Sequence, residues 1–240
     1  VWLYNAQRGR PFGTAAEHCV LSADNAVALP EAASFIEGAC LGVPAQTAHF
    51  AVTADGEIEG QTVLVQGGAG AVGHYAVQWG KRFGAKVIAT VSNEEKAVHA
   101  RAAGADAVID YRQDDVIAAV RAIVPDGVDR IIEVDLGANM AIDTELIREG
   151  GVIASYSSTR VPEPVLPYYP LAYKGVTLRL VQAYILPSEA RARAIAGITG
   201  ALIERTLIHS IATTFPLDDI ASAHEVAESV GRVGKIVVTI

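Results

Sequence analysis

The stretch Thr62-Val63-Leu64-Val65-Gln66-Gly67-Gly68-Ala69-Gly70-Ala71-Val72-Gly73 restricts the fold of this chain more than any other. A short apolar run enters a cluster of glycines, and a long amphipathic segment, His74 to Phe83, leaves it; the pattern predicts strand, tight turn and helix. Gly68, Gly70 and Gly73 fit the spacing G-x-G-x-x-G in the setting that gives it meaning, after a strand and before a helix. In such a turn Gly68 permits the sharp reversal, Gly70 has no side chain to keep a pyrophosphate off the backbone, and Gly73 lets the helix approach the strand. The N–H groups of Ala69, Ala71, Val72 and the first helical turn, with the positive end of the helix dipole, then face an anion. Val87-Ile88-Ala89-Thr90-Val91 supplies a second strand at the distance a βαβ unit requires. A glycine turn that only reverses the chain of an α/β protein is the competing interpretation.

Composition narrows the class. Half of the 240 residues are hydrophobic (51%), enough for one large cored domain or two small ones. No apolar run has the length of a membrane-spanning helix, and the opening residues resemble neither a signal peptide nor an Arg-rich transit segment. A net charge of −8 argues against a general nucleic-acid binder, yet backbone dipoles can still hold a small anion. Cys19 and Cys40 match no metal-ligand spacing and read as reduced thiols of a cytoplasmic protein.

Residues 1–30 read as β-rich, with strands at Val1–Tyr4, Ala16–Leu21 and Asn25–Leu29. Residues 31–52 are helix-like, interrupted by Gly42-Val43-Pro44. From Thr62 onward strands and helices alternate, the mark of a parallel sheet. The strands are expected at 63–66, 87–91, 107–109, 128–134, 152–155 and 176–181, and the helices at 71–83, 94–103, 114–124 and 139–148. Six strands in this rhythm predict an α/β fold, a doubly wound parallel six-stranded sheet of the Rossmann type. Between the last two strands, Ser157–Lys174 carries four prolines and three tyrosines and is expected to be a long irregular loop of the kind that often serves function. A helix over 188–205 with Ser188 as N-cap, a strand over 208–214, an amphipathic helix over 216–229 and a final strand over 236–240, entered through Arg232-Val233-Gly234-Lys235, complete the chain.

Together these segments resemble the zinc-free quinone oxidoreductases, the zeta-crystallin-like group of the medium-chain dehydrogenase/reductase superfamily. The residues that carry the resemblance are Gly13-Thr14-Ala15-Ala16-Glu17-His18, Leu29-Pro30, Gly42-Val43-Pro44-Ala45-Gln46-Thr47-Ala48, Gln66 to Gly73, Gly104-Ala105 before Val108-Ile109-Asp110-Tyr111, and Gly231 to Lys235. They run in family order over essentially the whole chain. The resemblance implies that residues 1–50 are the C-terminal part of a GroES-like β-barrel catalytic domain whose N-terminal part is absent, so that the chain is expected to be a fragment of a longer protein. It implies a Rossmann NADP-binding domain over 51–187, and over 188–240 helices and strands that return to the catalytic domain. It also implies a homodimer in which the edge strand Val176–Val181 pairs with its copy. His49 departs from the family, which has an aromatic residue after Thr-Ala.

Cofactor preference is read at the tip of the second strand. NAD-binding turns place Asp or Glu there to hold the ribose 2′-OH. Here the strand ends Thr90-Val91-Ser92-Asn93, with Lys96 one turn into the next helix. Ser92 and Asn93 would not repel a 2′-phosphate, and Glu94 and Glu95 serve as first-turn charge on the helix. The resemblance places the 2′-phosphate lysine at Lys96 and an adenosine-side tyrosine at Tyr111, next to Arg112. NADP(H) is therefore expected over NAD(H); a solvated lysine and a half-buried tyrosine at a strand end are the structural alternatives. For the nicotinamide end the resemblance points to the turn Glu133-Val134-Asp135-Leu136-Gly137, to Tyr156 and Gln182, and to Thr47 near the ring, with Lys235 near the phosphates. Tyr156 and Gln182 fit equally well as polar residues satisfied at a loop edge.

No catalytic residue is assigned. A metal is not expected, because the cysteine with a distant His-Glu pair and the four-cysteine lobe of the zinc members are missing and the six histidines stand singly. No His-Asp pair at recognisable spacing offers a proton relay, which suits quinone reduction better than alcohol oxidation. The leading function is metal-free hydride transfer from NADPH to a quinone or related conjugated carbonyl. An enoyl or alkenal reductase of the same superfamily comes second, and a catalytically silent NADPH-binding sensor or structural protein third. The expected partner is a small-molecule quinone or enone, with neither nucleic acid nor membrane.

Overall fold

The computed structural model describes residues 1–229, 231 and 233–240; Arg232 of the expected last turn lies outside the described residues. Contacts divide the chain into two units, one Thr47–Gln182, the other built from Val1–Gln46 and Ala183–Ile240.

The chain opens with two short strands, β1 (Trp2–Leu3) and β2 (Ala26–Val27), paired antiparallel. The expected strand at Ala16–Leu21 does not form: among the described residues no strand lies beside it, its residues are largely exposed, and an unpaired strand leaves its backbone groups to water. Helix α1 (Phe35–Ala39) starts at a capping box in which Ser34 and Glu37 exchange hydrogen bonds. Gly42-Val43-Pro44, expected to break a helix, instead forms the first turn of α2 (Gly42–Thr53), where a missing proline N–H costs nothing.

The central unit continues through β3 (Thr62–Val65), α3 (Gly73–Arg82), β4 (Lys86–Val91), α4 (Glu94–Ala102), β5 (Ala107–Asp110), α5 (Val116–Ile123), β6 (Val128–Glu133), α6 (Leu136–Leu146), β7 (Ile147–Ser155), α7 (Tyr168–Tyr173) and β8 (Thr177–Leu180). Its six strands form one parallel sheet in the order β5-β4-β3-β6-β7-β8. The order reverses between β3 and β6, and β8 is an edge. Leu64, Ile88, Ile131 and Ile153 are fully buried on the strands and meet Val120 and Leu146 from the helices. Each such side chain contributes about 1.5–3 kcal/mol on burial. Both faces of the sheet are covered, so Val63–Val65, Val87–Ala89, Ile131–Ile132 and Val152–Ala154 form apolar stretches on its inner strands.

Three expectations in this unit change. Helix α6 starts at Leu136, three residues earlier than expected, because Gly137 lies inside the helix where a Cβ would come 2.6 Å from Val161 Cβ. This glycine serves close approach. Strand β7 takes in Glu149-Gly150-Gly151, expected as a helix stop, with a register irregularity opposite β6. Helix α7 also occupies part of the segment expected to be irregular throughout.

In the other unit α8 (Ser188–Ile203) is followed by β9 (Ile211–Pro216), α9 (Ile220–Glu228) and β10 (Lys235–Thr239). Pro187, not Ser188, stands at the N-cap of α8 and no side chain caps it. β9 and β10 pair in parallel with α9 as the crossover, and α1 packs on β10. No described helix is long and apolar enough to cross a membrane.

Candidate dinucleotide-binding site

The sharp reversal after β3 belongs to Gly67, which takes φ 71°, and not to Gly68 as the motif led us to expect. Gly68 is needed for a different reason: a Cβ there would lie 2.6 Å from Ala89 Cβ on β4. At Gly73 a Cβ would lie 2.2 Å from the Gly67 carbonyl oxygen, so α3 rests directly on the turn. Gly70 is exposed, and a Cβ on it would meet only the Gly67 oxygen, at 3.2 Å. The turn is fixed by Gly70 N–H to Gly67 O and His74 N–H to Gly70 O, both 2.9 Å, and by Gly67 N–H to Thr90 Oγ1 at 3.1 Å. Val72, at the N-cap of α3, brings no side-chain acceptor. The first N–H groups of a helix have no partner within it. With Ala69, Ala71 and Val72 as the small side chains around them, they suit a pyrophosphate.

At the tip of β4, Lys96 Nζ donates to the buried Ser92 Oγ at 3.1 Å. Asn93 is the N-cap of α4, its Oδ1 accepting from Lys96 N–H at 2.9 Å. Glu94 is exposed and pairs with Arg101 at 2.7 Å, and Glu95 is exposed as well. The position that an acid would need in order to hold a ribose 2′-OH is thus filled by serine and lysine. Tyr111 N–H bonds to Val91 O at 3.0 Å, which carries Tyr111 and Arg112, both exposed, past the end of β5 beside the same tip.

Tyr156 follows β7 with its N–H on Glu133 O at 3.1 Å. Burial, and then the Glu133 charge, push its phenol above the usual range. Thr47 is buried on α2, Gln182 is exposed just beyond β8, and Lys235 belongs to β10 of the other unit, where burial lowers its ammonium pKa. The structure therefore gathers the glycine turn, Ser92, Asn93, Lys96, Tyr111, Arg112 and Tyr156 along the carboxyl ends of β5, β4, β3 and β7. Among the described residues no three His, Cys, Asp or Glu side chains gather as metal ligands.

Sequence reasoning missed a group of polar residues beneath these ends. Glu133 and Asp143 are wholly buried, Gln66 nearly so, and Asp135 pairs with Arg160 at 2.5 Å. Their one signal was a glutamate closing the apolar run Ile131-Ile132.

A family model described as zinc-binding dehydrogenase matches residues 71–196. A quinone oxidoreductase of Sus scrofa is 30% identical over 94% of this chain and 69% of its own length. A 2-haloacrylate reductase of a Burkholderia species is 31% identical over 74% of this chain and 55% of its own length. Among solved structures, one titled as an NAD-dependent alcohol dehydrogenase superposes with TM-score 0.85 at 27% identity, over 95% of this chain and 65% of that one. The Escherichia coli quinone oxidoreductase complexed with NADPH gives TM-score 0.78 at 26% identity, over 91% of this chain and 69% of that one. The chain thus spans about two thirds of the length of the two quinone oxidoreductases and of the alcohol dehydrogenase.

Proposed function

This chain belongs to the zinc-free quinone oxidoreductase group of the medium-chain dehydrogenase/reductase superfamily, and on that premise we propose that it is an NADPH-dependent reductase of quinones or related conjugated carbonyls. The observation that carries the cofactor choice is the tip of β4, where Ser92 and Lys96 lie in contact and the two residues directly after the strand are Ser92 and Asn93, not a carboxylate. A carboxylate there would accept from a ribose 2′-OH and repel a 2′-phosphate; an ammonium does the opposite. The Escherichia coli structure with NADPH supports this choice, and the NAD-dependent alcohol dehydrogenase is its rival.

When bound, the dinucleotide supplies the hydride. The chain binds and orients: the first turn of α3 meets the pyrophosphate, Lys96 with Ser92 and Asn93 the 2′-phosphate, and Tyr111 with Arg112 the adenosine side. Tyr156, Gln182 and Thr47 are assigned to the nicotinamide side and Lys235 to the phosphates. A quinone is already electrophilic, so holding the two reactants in register supplies most of what the reaction needs.

The 2-haloacrylate reductase relative favours an enoyl or alkenal substrate as the second reading. A silent NADPH-binding protein is the third. We also infer a homodimer through the exposed edge β8, and a cytoplasmic location from two thiols that form no disulfide.

The test is titration of the protein with NADPH and NADH, then turnover with 1,4-benzoquinone, an enal and ethanol in the presence of a chelator. Tighter NADPH, quinone reduction and no ethanol oxidation are expected. Tighter NADH or zinc-dependent ethanol oxidation overturns the proposal, enal turnover alone selects the second reading, and binding without turnover selects the third.

A further inference from the structure

A single hydrogen-bonded bar crosses the sheet beneath the point where the strand order reverses. Gly67 N–H donates to Thr90 Oγ1, which donates to Gln66 Oε1 at 2.8 Å, and Gln66 Nε2 donates to Asp143 Oδ1 at 3.2 Å. At the far end Glu133 Oε1 accepts from Asn139 Nδ2 at 2.9 Å and from the Asp135 N–H. Between the two halves the Asp143 and Glu133 side chains come within hydrogen-bonding reach of each other. Both residues are 0% exposed. Among the described residues their remaining oxygens, Glu133 Oε2 and Asp143 Oδ2, meet no N–H or O–H donor.

Two bare carboxylates in that position would repel each other without water to screen them. One proton closes the bar, as an O–H of one acid donated to the other. Glu133 already has two donors on Oε1 and is the better seat for the charge, which leaves the proton on Asp143. We propose that this protonated Asp143–Glu133 pair is a positioning element, tying the glycine turn to the β6–α6 turn so that the dinucleotide site keeps its register only while the pair holds its proton. This rests on the reading of that site as a dinucleotide site.

The titratable and charged groups that act on the pair come from two further places. Asp135, at the start of α6, adds negative charge beside Glu133; Tyr156 and Arg160, after β7, also interact electrostatically with Glu133, with Arg160 held by Asp135. The β3 and β4 neighbours, Gln66 and Thr90, do not titrate. Burial is the first cause that raises both acids, with the Glu133 charge adding to it at Asp143. A raised carboxyl pKa gives stability that is complete below the unfolded-state value and is lost as pH climbs through the folded one.

Infrared difference spectra of the ligand-free protein should show the carbonyl band of a buried protonated carboxyl, absent in both Asp143→Asn and Glu133→Gln. Asp143→Asn substitutes a fixed N–H for the shared proton and should bind NADPH within about threefold of wild type. Asp143→Ala removes the bar's middle and should bind at least about tenfold more weakly. Raising the pH until the band disappears should weaken wild-type NADPH binding by about tenfold per further unit, since only the protonated fraction binds, and leave Asp143→Asn level. The alkaline fall in the unfolding midpoint of the ligand-free protein should also be missing in Asp143→Asn. Absence of the band, equal NADPH affinity in wild type and Asp143→Ala, or wild-type affinity that stays level after the band is lost overturns the proposal. Failure of wild type to bind NADPH or NADH would instead strike the cofactor reading, while the infrared band still decides whether the proton is shared.

Discussion

Gly70 and Gly73 lie one turn apart in the same motif, and their alanine variants should fail in opposite ways. In Gly73→Ala the new Cβ lands 2.2 Å from the Gly67 carbonyl oxygen, 2.9 Å from its carbon and 3.1 Å from Gly68 Cα. All three neighbours are backbone, so none can rotate aside. Reaching an ordinary contact of about 3.5 Å requires the first turn of α3 to move off the glycine turn by about 1 Å. Overpacking of this kind costs about 1–3 kcal/mol. For a chain of this length each kcal/mol lowers Tm by about 2–4 °C, so a fall of about 2–12 °C is expected. In Gly70→Ala the Cβ meets one oxygen at 3.2 Å and otherwise projects into the open mouth of the turn. Its Tm should stay within about 2 °C of wild type. The methyl group, however, occupies space the pyrophosphate needs, and loss of one charge-assisted hydrogen bond, about 1.5–3 kcal/mol, weakens NADPH about 10- to 150-fold. Thermal unfolding of the ligand-free proteins and calorimetric titration separate the two effects. An unchanged Tm in Gly73→Ala would refute the packing argument, and wild-type NADPH affinity in Gly70→Ala would refute the placement of the anion.

Lys96→Ala should weaken NADPH by about 1.5–3 kcal/mol and leave NADH nearly unchanged; equal loss for both cofactors in a titration would sink the assignment of Lys96. Asp55 faces two guanidiniums, the exposed-edged Arg179, with Nε at 3.0 Å, and the wholly buried Arg130, with Nη1 at 3.9 Å. Asp55→Asn leaves Arg130 buried without a full counter-charge and should cost about 3–5 kcal/mol in urea denaturation; a loss below 1 kcal/mol, taken as about the surface-pair value, would show that Arg130 is neutralised by other means. Light scattering should give a dimer for the wild type at micromolar concentration and a monomer when Leu180→Pro removes a donor from the open side of β8, the side opposite to the Val181 N–H that bonds to Ser155 O of β7; a monomeric wild type counts against the edge-pairing reading.

The sheet was legible because its strands are local patterns. Thr62–Val65, Lys86–Val91 and Val128–Glu133 have apolar centres buried on both faces, and their expected limits fall within a residue or so of those observed. Errors arose where one residue type serves two ends. Gly42 and Pro44 open a helix and Gly137 sits within one, because glycine marks close approach as often as it marks a break. Ala16–Leu21 has strand composition but no neighbour to pair with. The proximity of Ser92, Asn93 and Lys96 was readable because they share one strand tip and one helical turn. The bar through Gln66, Asp143 and Glu133 was not, because Gln66 and Asp143 are 77 positions apart and meet only once the sheet has been assembled.

The division of the chain into a continuous unit and one made from its two outer segments has a consequence for biogenesis. Every strand of the parallel sheet lies between Thr47 and Gln182, so that unit has all its partners as soon as Gln182 has been synthesised. Helix α1 is made before that unit, yet it packs on β10, which is made after it. On a ribosome adding about 5–20 residues per second, α1 can meet β1 at once, but its contact with β10 must wait while the inner unit is made. A chaperone that guards the nascent chain would be expected to engage the side of α1 that awaits β10, and release would follow the arrival of Lys235–Thr239.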